Sequence, residues 1–186
     1  MNLEMPLWET KRLWIRPVEE ADAADLFVVY KDPRVLHGSL AMQPFTSLDE
    51  MLGSIKNYFM AYHRRGVPQA MVMELKTTGK VIGIIDFHSV SDGIGELGYL
   101  LHHAYWKQGY MKEAISAMVY LGFRHIGFQR IEAWIDPDNI GSCKALTANG
   151  FQKEGILRKY KMLNDGKYHD LAVYSILQEE FQEVKR

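Results

Sequence analysis

Residues 96–135 follow the order strand, loop, helix and strand, and this order restricts the fold more than any other feature of the chain. Residues 96–101 are typical of a strand and end in the apolar run Tyr99-Leu100-Leu101, and residues 131–135 alternate between aliphatic and other side chains. Between these runs, apolar residues recur at helical spacing, at Ala114, Ile115, Met118 and Leu121. Two strands joined by a crossover helix lie parallel, whereas a short turn makes them antiparallel. The sequence therefore predicts an α/β fold with a central parallel pair.

The other predicted elements place antiparallel strands around this pair. Turn sequences at residues 77–80 and 164–167 each separate two runs typical of strands, which is the pattern of a hairpin. Ser47 and Glu50 have the spacing of a capping box at the start of a helix. The remaining elements are a first strand, two early helices and a short late helix, at residues 13–15, 21–30 and 47–65 and just before 149–150. We expect a mixed, mostly antiparallel sheet of seven strands, flanked by four helices.

Size, charge and cysteine content exclude several classes of protein. The chain has 186 residues and no linker-like segment, so we expect one domain over residues 1–186, within the usual ~100–200 residues. A net charge of −1 provides no basic field for nucleic acid or an anionic membrane. Cys143 is the one cysteine, which fits a reducing compartment. The first ten residues lack a signal-peptide pattern, and no apolar run approaches the ~18 residues of a spanning helix. We therefore expect a cytoplasmic protein.

The loop that enters the crossover helix has the features of an anion site. It reads Tyr105-Trp106-Lys107-Gln108-Gly109-Tyr110-Met111-Lys112-Glu113-Ala114. The first turn of a helix has free backbone N–H groups and the positive end of the helix dipole, and both suit a pyrophosphate. Gly109 allows a ligand to approach the backbone closely. The same pattern also fits an ordinary turn between a strand and a helix.

This loop resembles the acetyl-CoA pyrophosphate loop of the GNAT acetyltransferases, especially the branch that includes the ribosomal-protein alanine N-acetyltransferases. Further segments match the same branch in order, and the match spans nearly the whole chain. They are Glu9-Thr10-Lys11-Arg12-Leu13, Gly95-Glu96-Leu97-Gly98-Tyr99, Arg130-Ile131-Glu132-Ala133, Asp136-Pro137-Asp138-Asn139, Asn149-Gly150-Phe151 and Gly166-Lys167-Tyr168-His169-Asp170. The resemblance implies the GNAT fold, acetyl-CoA as co-substrate without a metal, direct transfer to an amine, and a homodimer.

The resemblance also implies which residues contact the cofactor. They are Leu100, Leu101, Lys107, Gln108, Gly109, Tyr110, Met111, Lys112, Asn139 and Ser142. Three positions depart from the family pattern. Met111 stands where the family usually has Gly or Ala, and Lys107 stands where it often has Gly. Leu146 replaces the tyrosine that often serves as general acid, so that role is either vacant or filled by another residue.

The chemistry requires a base, because an amine attacks a thioester only in its neutral form. Glu96 is the first candidate, by resemblance to a catalytic glutamate at the start of this strand; the alternative is a solvated or ion-paired carboxylate. Ser142 is the candidate donor to the leaving thiolate, although Ser142 and Asn139 could both be helix caps. The side chains expected to line the acceptor path are His37, Tyr58, Tyr62, His88 and His169, and the last two are spare bases.

Other assignments compete with this one. Residues 93–98 match the dinucleotide pattern G-x-G-x-x-G, but that pattern must open a helix and this segment precedes extended sequence. No histidine, cysteine or carboxylate set has the spacing of metal ligands. The acceptor stays open between a protein N-terminal amine and a small-molecule amine. The alternative function is a catalytically silent GNAT domain that binds CoA as a sensor or interaction module.

Overall fold

A computed structural model describes residues 3–37, 44–163 and 165–181, with the side chain of residue 37 excluded. These residues form one sheet of eight strands in the order β1-β2-β3-β4-β5-β6-β8-β7. The strands are β1 (Trp8–Glu9), β2 (Leu13–Pro17), β3 (Met71–Leu75), β4 (Val81–Ser91), β5 (Ile94–Leu101), β6 (Arg130–Ile135), β7 (Gln152–Met162) and β8 (Tyr168–Leu177). Neighbouring strands are antiparallel except β5 and β6, which are parallel.

Helices cover both faces of this sheet. They are α1 (Ala23–Tyr30), α2 (Pro33–His37), α3 (Leu48–Ser54), α4 (Tyr62–Arg65), α5 (Tyr110–Leu121) and α6 (Ile140–Thr147). Single 3₁₀ turns lie at Glu20–Asp22, His103–Tyr105 and Gln178–Glu180, and π-helical turns at Ile55–Phe59 and Gly122–Ile126. The chain between β5 and β6 is the predicted crossover, and α5 is its helix.

The mixed α/β fold and the parallel pair are therefore confirmed, with three corrections to the count of elements. The sequence predicts four helices, and the structure adds the short helix α2, which begins at Pro33. The sequence predicts seven strands, and the structure adds β1, whose two residues are too few to show a period. The sequence predicts one helix over residues 47–65. In the structure, a π-helical turn at Ile55–Phe59 separates this stretch into α3 and α4. The turn is marked by the hydrogen bond from the Met60 N–H to the Ile55 carbonyl.

The core consists of two clusters, one on each face of the sheet. On one face, α5 and α6 pack against the sheet through Ala114, Ile115 and Leu146, all fully buried. On the other face, α1 and α3 pack through Leu26 and Met51. Central strand β4 is apolar on both sides because both faces are covered, which explains its continuous apolar run.

The parallel pairing between β5 and β6 is short, and this positions the site. The paired residues end at Glu96 opposite Glu132. Strand β5 nevertheless continues to Leu101, and β6 continues to Ile135. The two strands therefore separate beyond Glu96, and a gap opens in the sheet. Such openings between strands of an α/β sheet are where ligands bind.

Candidate functional site

Backbone groups of β5 face the gap. The His102 N–H donates to the Ile82 carbonyl on β4, at 2.8 Å. Because peptide groups alternate in direction along a strand, the groups of Tyr99 and Leu101 point the other way, toward β6. The Leu101 carbonyl accordingly accepts the indole N–H of Trp106 at 2.8 Å. The Leu101 N–H is thus directed into the gap, whereas the Leu100 N–H is directed toward β4.

The loop between β5 and α5 is held by its own hydrogen bonds. Besides the Trp106 indole, the Gln108 side-chain amide donates to the Ala104 carbonyl at 2.8 Å. Lys107 has φ of 60° and Gly109 has φ of 81°, both in the left-handed region. That conformation favours glycine, which gives a physical reason for the glycine that the family often has where Lys107 stands.

The first turn of α5 presents backbone donors at the mouth of the gap. Gly109 is the N-cap and supplies no side-chain cap, so the first N–H groups of the helix lack an intrahelical acceptor. Residues 106–109 are exposed around this terminus, and Lys112 is also exposed. Met111 is half-buried and packs against the core on the α5 face.

Arg12, near the N-terminus of the chain, and Glu113 on α5 brace this helix end, and sequence reasoning missed both roles. The Arg12 guanidinium donates to a Glu113 carboxylate oxygen at 2.8 Å and to the Gln108 carbonyl at 2.8 Å. The same guanidinium lies 4.1 Å from the centre of the Tyr110 ring. Arg12 and Glu113 both lie within segments that match the family, but their contact spans 101 residues and leaves no periodic signal.

Glu96 lies in an ion pair with His88. His88 Nε2 is 3.1 Å from Glu96 Oε1, and His88 Nδ1 is 3.7 Å from Asp86 Oδ1. Burial lowers the pKa of His88, but the hydrogen bonds to Asp86 and Glu96 outweigh it and raise that pKa to about 9. The hydrogen bond from His88 lowers the pKa of Glu96 in turn. At neutral pH the pair is therefore an imidazolium beside a carboxylate.

The side chain of Glu96 faces the α1 and α3 side of the sheet. It alternates with Leu97, which is buried on the opposite face, and shares its side with Leu100. His88 is the extra residue of a bulge in β4, and it lies over Gly98, where an added Cβ would meet its ring at 2.7 Å. This close approach brings the imidazole into reach of Glu96.

The other predicted lining residues are distributed unevenly. Tyr58 is exposed and stacks under Arg65, whose guanidinium donates to the His88 carbonyl at 3.0 Å, so both border the Glu96 side. Tyr62 is half-buried and contacts the His63 ring. His169 pairs with Asp165 at 2.9 Å on the β7–β8 hairpin. Residues 38–43 and the side chain of His37 lie outside the described part of the chain.

A carboxylate and an aromatic pair on β6 and β7 also border this side, and the sequence did not single them out. Glu132 pairs with Glu96 across the parallel strands and therefore shares its face. The Trp134 indole donates to Glu132 at 3.1 Å and packs on Tyr160, with ring centres 5.2 Å apart. Carboxylates beside exposed rings suit a cationic amine.

Helix α6 flanks the opposite side of the gap. The Asn139 side-chain oxygen accepts from the Ser142 N–H at 3.1 Å, so Asn139 is the cap and the Ser142 hydroxyl is not. Leu146 is fully buried in the core and carries no acidic proton. The Thr147 hydroxyl donates to the Cys143 carbonyl at 2.9 Å. The Ser142 hydroxyl, which caps nothing, lies near the Tyr99 hydroxyl.

Three further findings concern the described residues only. Residues 93–98 form a turn and the start of β5 rather than a turn that opens a helix, so the context of a dinucleotide site is lacking there. Within residues 3–37, 44–163 and 165–181, no group of three or more histidine, cysteine or carboxylate side chains could hold a metal ion. No helix in these ranges has the length and apolar character needed to cross a membrane.

Known proteins share this fold. Residues 12–152 match the family described as acetyltransferase (GNAT) domain. The chain is 33% identical over 175 residues to the uncharacterized N-acetyltransferase YoaA of Bacillus subtilis (strain 168), covering 92% of this chain and 97% of that protein. A GNAT-family acetyltransferase structure from Bacillus anthracis aligns with a TM-score of 0.82 at 22% identity, and the alignment covers 94% of this chain and 99% of that one. The structure of RimL, a ribosomal-protein α-N-acetyltransferase in complex with coenzyme A, aligns with a TM-score of 0.80 at 22% identity. This alignment covers 92% of this chain and 96% of that one.

Proposed function

Because this chain belongs to the GNAT acetyltransferase family, we propose that it transfers the acetyl group of acetyl-CoA directly to an amine nitrogen. Membership confirms the resemblance drawn from the sequence, and the family is one of acyltransferases. The observation that carries the proposal is the gap between β5 and β6 with the N-terminus of α5 at its mouth. A thioester in the gap and a diphosphate at the helix end fit this arrangement.

The donors around the gap support a position for each part of acetyl-CoA. The diphosphate accepts from the free N–H groups at the start of α5, beside Gln108, Gly109 and Tyr110. The thioester carbonyl accepts from the Leu101 N–H, because that group points into the gap. A donor aimed at this oxygen stabilises the negative charge that develops in the tetrahedral intermediate. The pantetheine passes along α6, near Asn139 and Ser142.

The base acts from the face of the sheet that α1 and α3 cover, opposite α6. We propose that Glu96 accepts the amine proton, directly or through one water, as the nitrogen attacks the carbonyl carbon. The His88 imidazolium holds Glu96 ionised and oriented, at the cost of lowering its basicity. His88 itself, with a pKa of about 9, is protonated at neutral pH and becomes a base only in alkaline solution.

The surroundings of Glu96 support a cationic acceptor without distinguishing a protein N-terminus from a small amine. Glu132 lies beside Glu96, and exposed aromatic rings border them at Tyr58 and Tyr160. The aromatic rings attract a positively charged amine before it loses its proton, whereas Glu96 and Glu132 are already paired with His88 and Arg130. The name of RimL refers to ribosomal-protein N-termini, and this acceptor class is one of the two that we propose here.

One experiment tests the activity and ranks the acceptors. Acetyl-CoA consumption is followed with a panel of N-terminal peptides, polyamines and aminoglycosides, together with a no-acceptor blank. We expect turnover above the blank with at least one class. Tight CoA binding without turnover on any amine would contradict the enzyme and favour a silent CoA-binding domain. Nothing in the described residues favours that alternative over transfer.

We also propose that the protein is a homodimer. The sheet ends on β7, an eleven-residue strand that pairs only with β8 among the described strands. Exposed apolar residues lie on or beside this edge, at Ile156, Tyr160, Met162 and Tyr168. An open edge with apolar side chains is a surface that a second chain can cover. Light scattering that gives the mass of one chain at working concentration would contradict the dimer.

A further inference from the structure

Tyr99 has a hydroxyl group that the fold leaves without a partner. Among the buried side-chain nitrogen and oxygen atoms of residues 3–37, 44–163 and 165–181, the Tyr99 Oη is the one without a hydrogen bond. Buried polar atoms in proteins are nearly always paired, so an exception calls for an explanation. A phenylalanine would fill the same volume without burying an unpaired hydroxyl.

The position of this hydroxyl is defined by its neighbours. Tyr99 alternates with Leu100 along β5, and it packs against the cluster on the α5 face of the sheet. The Ser142 hydroxyl lies nearby, and Cys143 and Tyr174 complete the surroundings. Tyr99 thus reaches from β5 toward the first turn of α6, on the side of the gap where the cofactor enters.

The two faces of β5 carry different groups around one gap. Glu96 faces the α1 and α3 side, from which the acceptor approaches. Tyr99 faces the α5 and α6 side, from which the pantetheine reaches the thioester. Attacking nitrogen and departing sulfur then meet different polar groups on opposite sides of the carbonyl carbon. Leu146, at the usual position of a tyrosine acid, is buried and cannot serve.

We propose that the Tyr99 hydroxyl donates a hydrogen bond to the sulfur of acetyl-CoA as the thiolate leaves. The inference rests on the proposed acetyl transfer and adds a residue to that reaction. A donor that has no protein partner loses no existing bond when it turns to a ligand. A hydrogen bond between a hydroxyl and an anion is also stronger than one between neutral groups.

The step balances without any further reactant. The amine nitrogen attacks the carbonyl carbon and forms the C–N bond, and its proton passes to Glu96. When the tetrahedral intermediate collapses, the C–S bond breaks and its electron pair stays on sulfur. The thiolate is held by the Tyr99 O–H and takes up a proton from solvent after release. Glu96 returns its proton to solvent.

Tyr99 acts as a hydrogen-bond donor and keeps its proton. Burial raises the pKa of Tyr99 above its usual value of 10. An ordinary thiol has a pKa of about 8.5, so full proton transfer from this phenol to the thiolate is unfavourable. The phenol therefore remains protonated across the working range of pH and lowers the energy of the thiolate without neutralising it.

The test uses Tyr99→Phe, which removes only the hydroxyl. We expect kcat to fall about 100-fold, the lower end of the range for a donor to a developing anion, while KM for acetyl-CoA changes less than about 3-fold. The melting temperature should stay the same or rise, because the lost hydroxyl had no partner. Tyr120→Phe is the matched control: Tyr120 is also half-buried in the core on the α5 face, but it stacks on Trp8 away from the gap.

A second measurement is independent of turnover. Free CoA is bound to the wild type and to Tyr99→Phe, and the ultraviolet absorbance of its thiolate is titrated, with desulfo-CoA as the blank. We expect the bound thiol to titrate at lower pH in the wild type, because the phenol stabilises the thiolate. Equal titrations together with a wild-type kcat would overturn the role of Tyr99. A wild type that binds CoA and acetylates no amine would overturn the proposed function instead, and the titration would still decide whether Tyr99 contacts the sulfur.

Discussion

Arg12 Nε lies 2.8 Å from Glu113 Oε2, and the Arg12 backbone N–H donates to the other oxygen of the same carboxylate at 2.6 Å. The Thr10 hydroxyl also donates to that oxygen, at 2.6 Å. Burial opposes ionisation of Glu113, but the hydrogen bonds from Thr10 and Arg12 outweigh it and hold the pKa of Glu113 below its usual value. A charged Glu113 thus anchors the first turn of α5 to the segment that leads into β2, where the diphosphate is expected.

The first prediction follows from this anchor. Arg12→Gln removes the guanidinium that bonds Glu113 and the Gln108 carbonyl and covers the Tyr110 ring. Hydrogen bonds to charged groups contribute about 1.5–3 kcal/mol, so we expect acetyl-CoA affinity to fall about 10-fold or more by calorimetry. The matched control is Glu9→Gln, which breaks the neighbouring ion pair to Lys76 at 2.6 Å without touching the loop. Equal affinities for the two variants would contradict the anchoring role.

The second prediction concerns the base. Glu96→Gln keeps the shape of the side chain and removes its capacity to accept a proton. We expect kcat to fall by ~10²–10⁴ with acetyl-CoA affinity almost unchanged, which is the usual range for general-base catalysis. Glu154→Gln serves as control, because Glu154 lies further out on β7 in an ion pair with Arg130 at 2.6 Å. Near-normal turnover of Glu96→Gln across the pH range would assign the proton to His88, His169 or solvent.

The third prediction is a pH dependence of stability set by His88. Its folded pKa of about 9 lies above the ordinary value of 6.5, because the folded state favours the charged form. The stabilisation is therefore complete below pH 6.5 and is lost as pH rises through about 9. In urea unfolding we expect the wild type to lose stability over this interval, and His88→Gln to lose less. If the free energy of unfolding of the two proteins falls equally with pH, the ion pair of His88 contributes nothing to stability.

The sequence predicted the parts of the fold that local periodicity encodes. Alternation from Ile131 to Ile135 and the helical spacing that begins at Ala114 were enough to predict the parallel pair and its crossover. The same patterns predicted that the loop at Gly109 lies at the start of a helix. The short strand β1 and the π-helical turn were missed, because two residues show no period and a widened turn keeps the helical pattern.

The candidate site was predictable only where a motif is contiguous. The contact of Arg12 with Glu113 joins residues far apart in the chain, and nothing local announces it. The meeting of His88 with Glu96 depends on a bulge in β4, which shifts the register by one residue. Strand parity alone left the face of Glu96 open, and the packing of Leu97 and Leu100 decided it. The unpartnered hydroxyl of Tyr99 is a property of packing in three dimensions.

The fourth prediction separates capping from catalysis on α6. Asn139 is the cap, so Asn139→Ala should lower the free energy of unfolding by about 0.5–2 kcal/mol. The Ser142 hydroxyl caps nothing and lies near Tyr99. Ser142→Ala should therefore leave the melting temperature unchanged and lower kcat more than it raises KM for acetyl-CoA, and more than Thr147→Ala does. A less stable but fully active Ser142→Ala enzyme would contradict a role beside the leaving sulfur.

The last prediction tests the diphosphate site with two glycines near opposite ends of one helical segment. Gly109 precedes α5 with φ of 81°, and Gly127 follows the π-helical turn after it with φ of 88°. A side chain at either position is strained in the left-handed region, at about 1–2 kcal/mol, so Gly109→Asp and Gly127→Asp should both lower the free energy of unfolding. Their effects on the cofactor should differ.

The carboxylate at position 109 lies where the diphosphate accepts the helix N–H groups, and like charges repel there. The carboxylate at position 127 lies at the far end of the segment. We expect acetyl-CoA affinity to fall at least about 10-fold in Gly109→Asp, and to stay within about 2-fold of the wild type in Gly127→Asp. Calorimetry at two salt concentrations checks the cause, because electrostatic repulsion weakens at high salt. Unchanged affinity in Gly109→Asp would show that the diphosphate binds elsewhere.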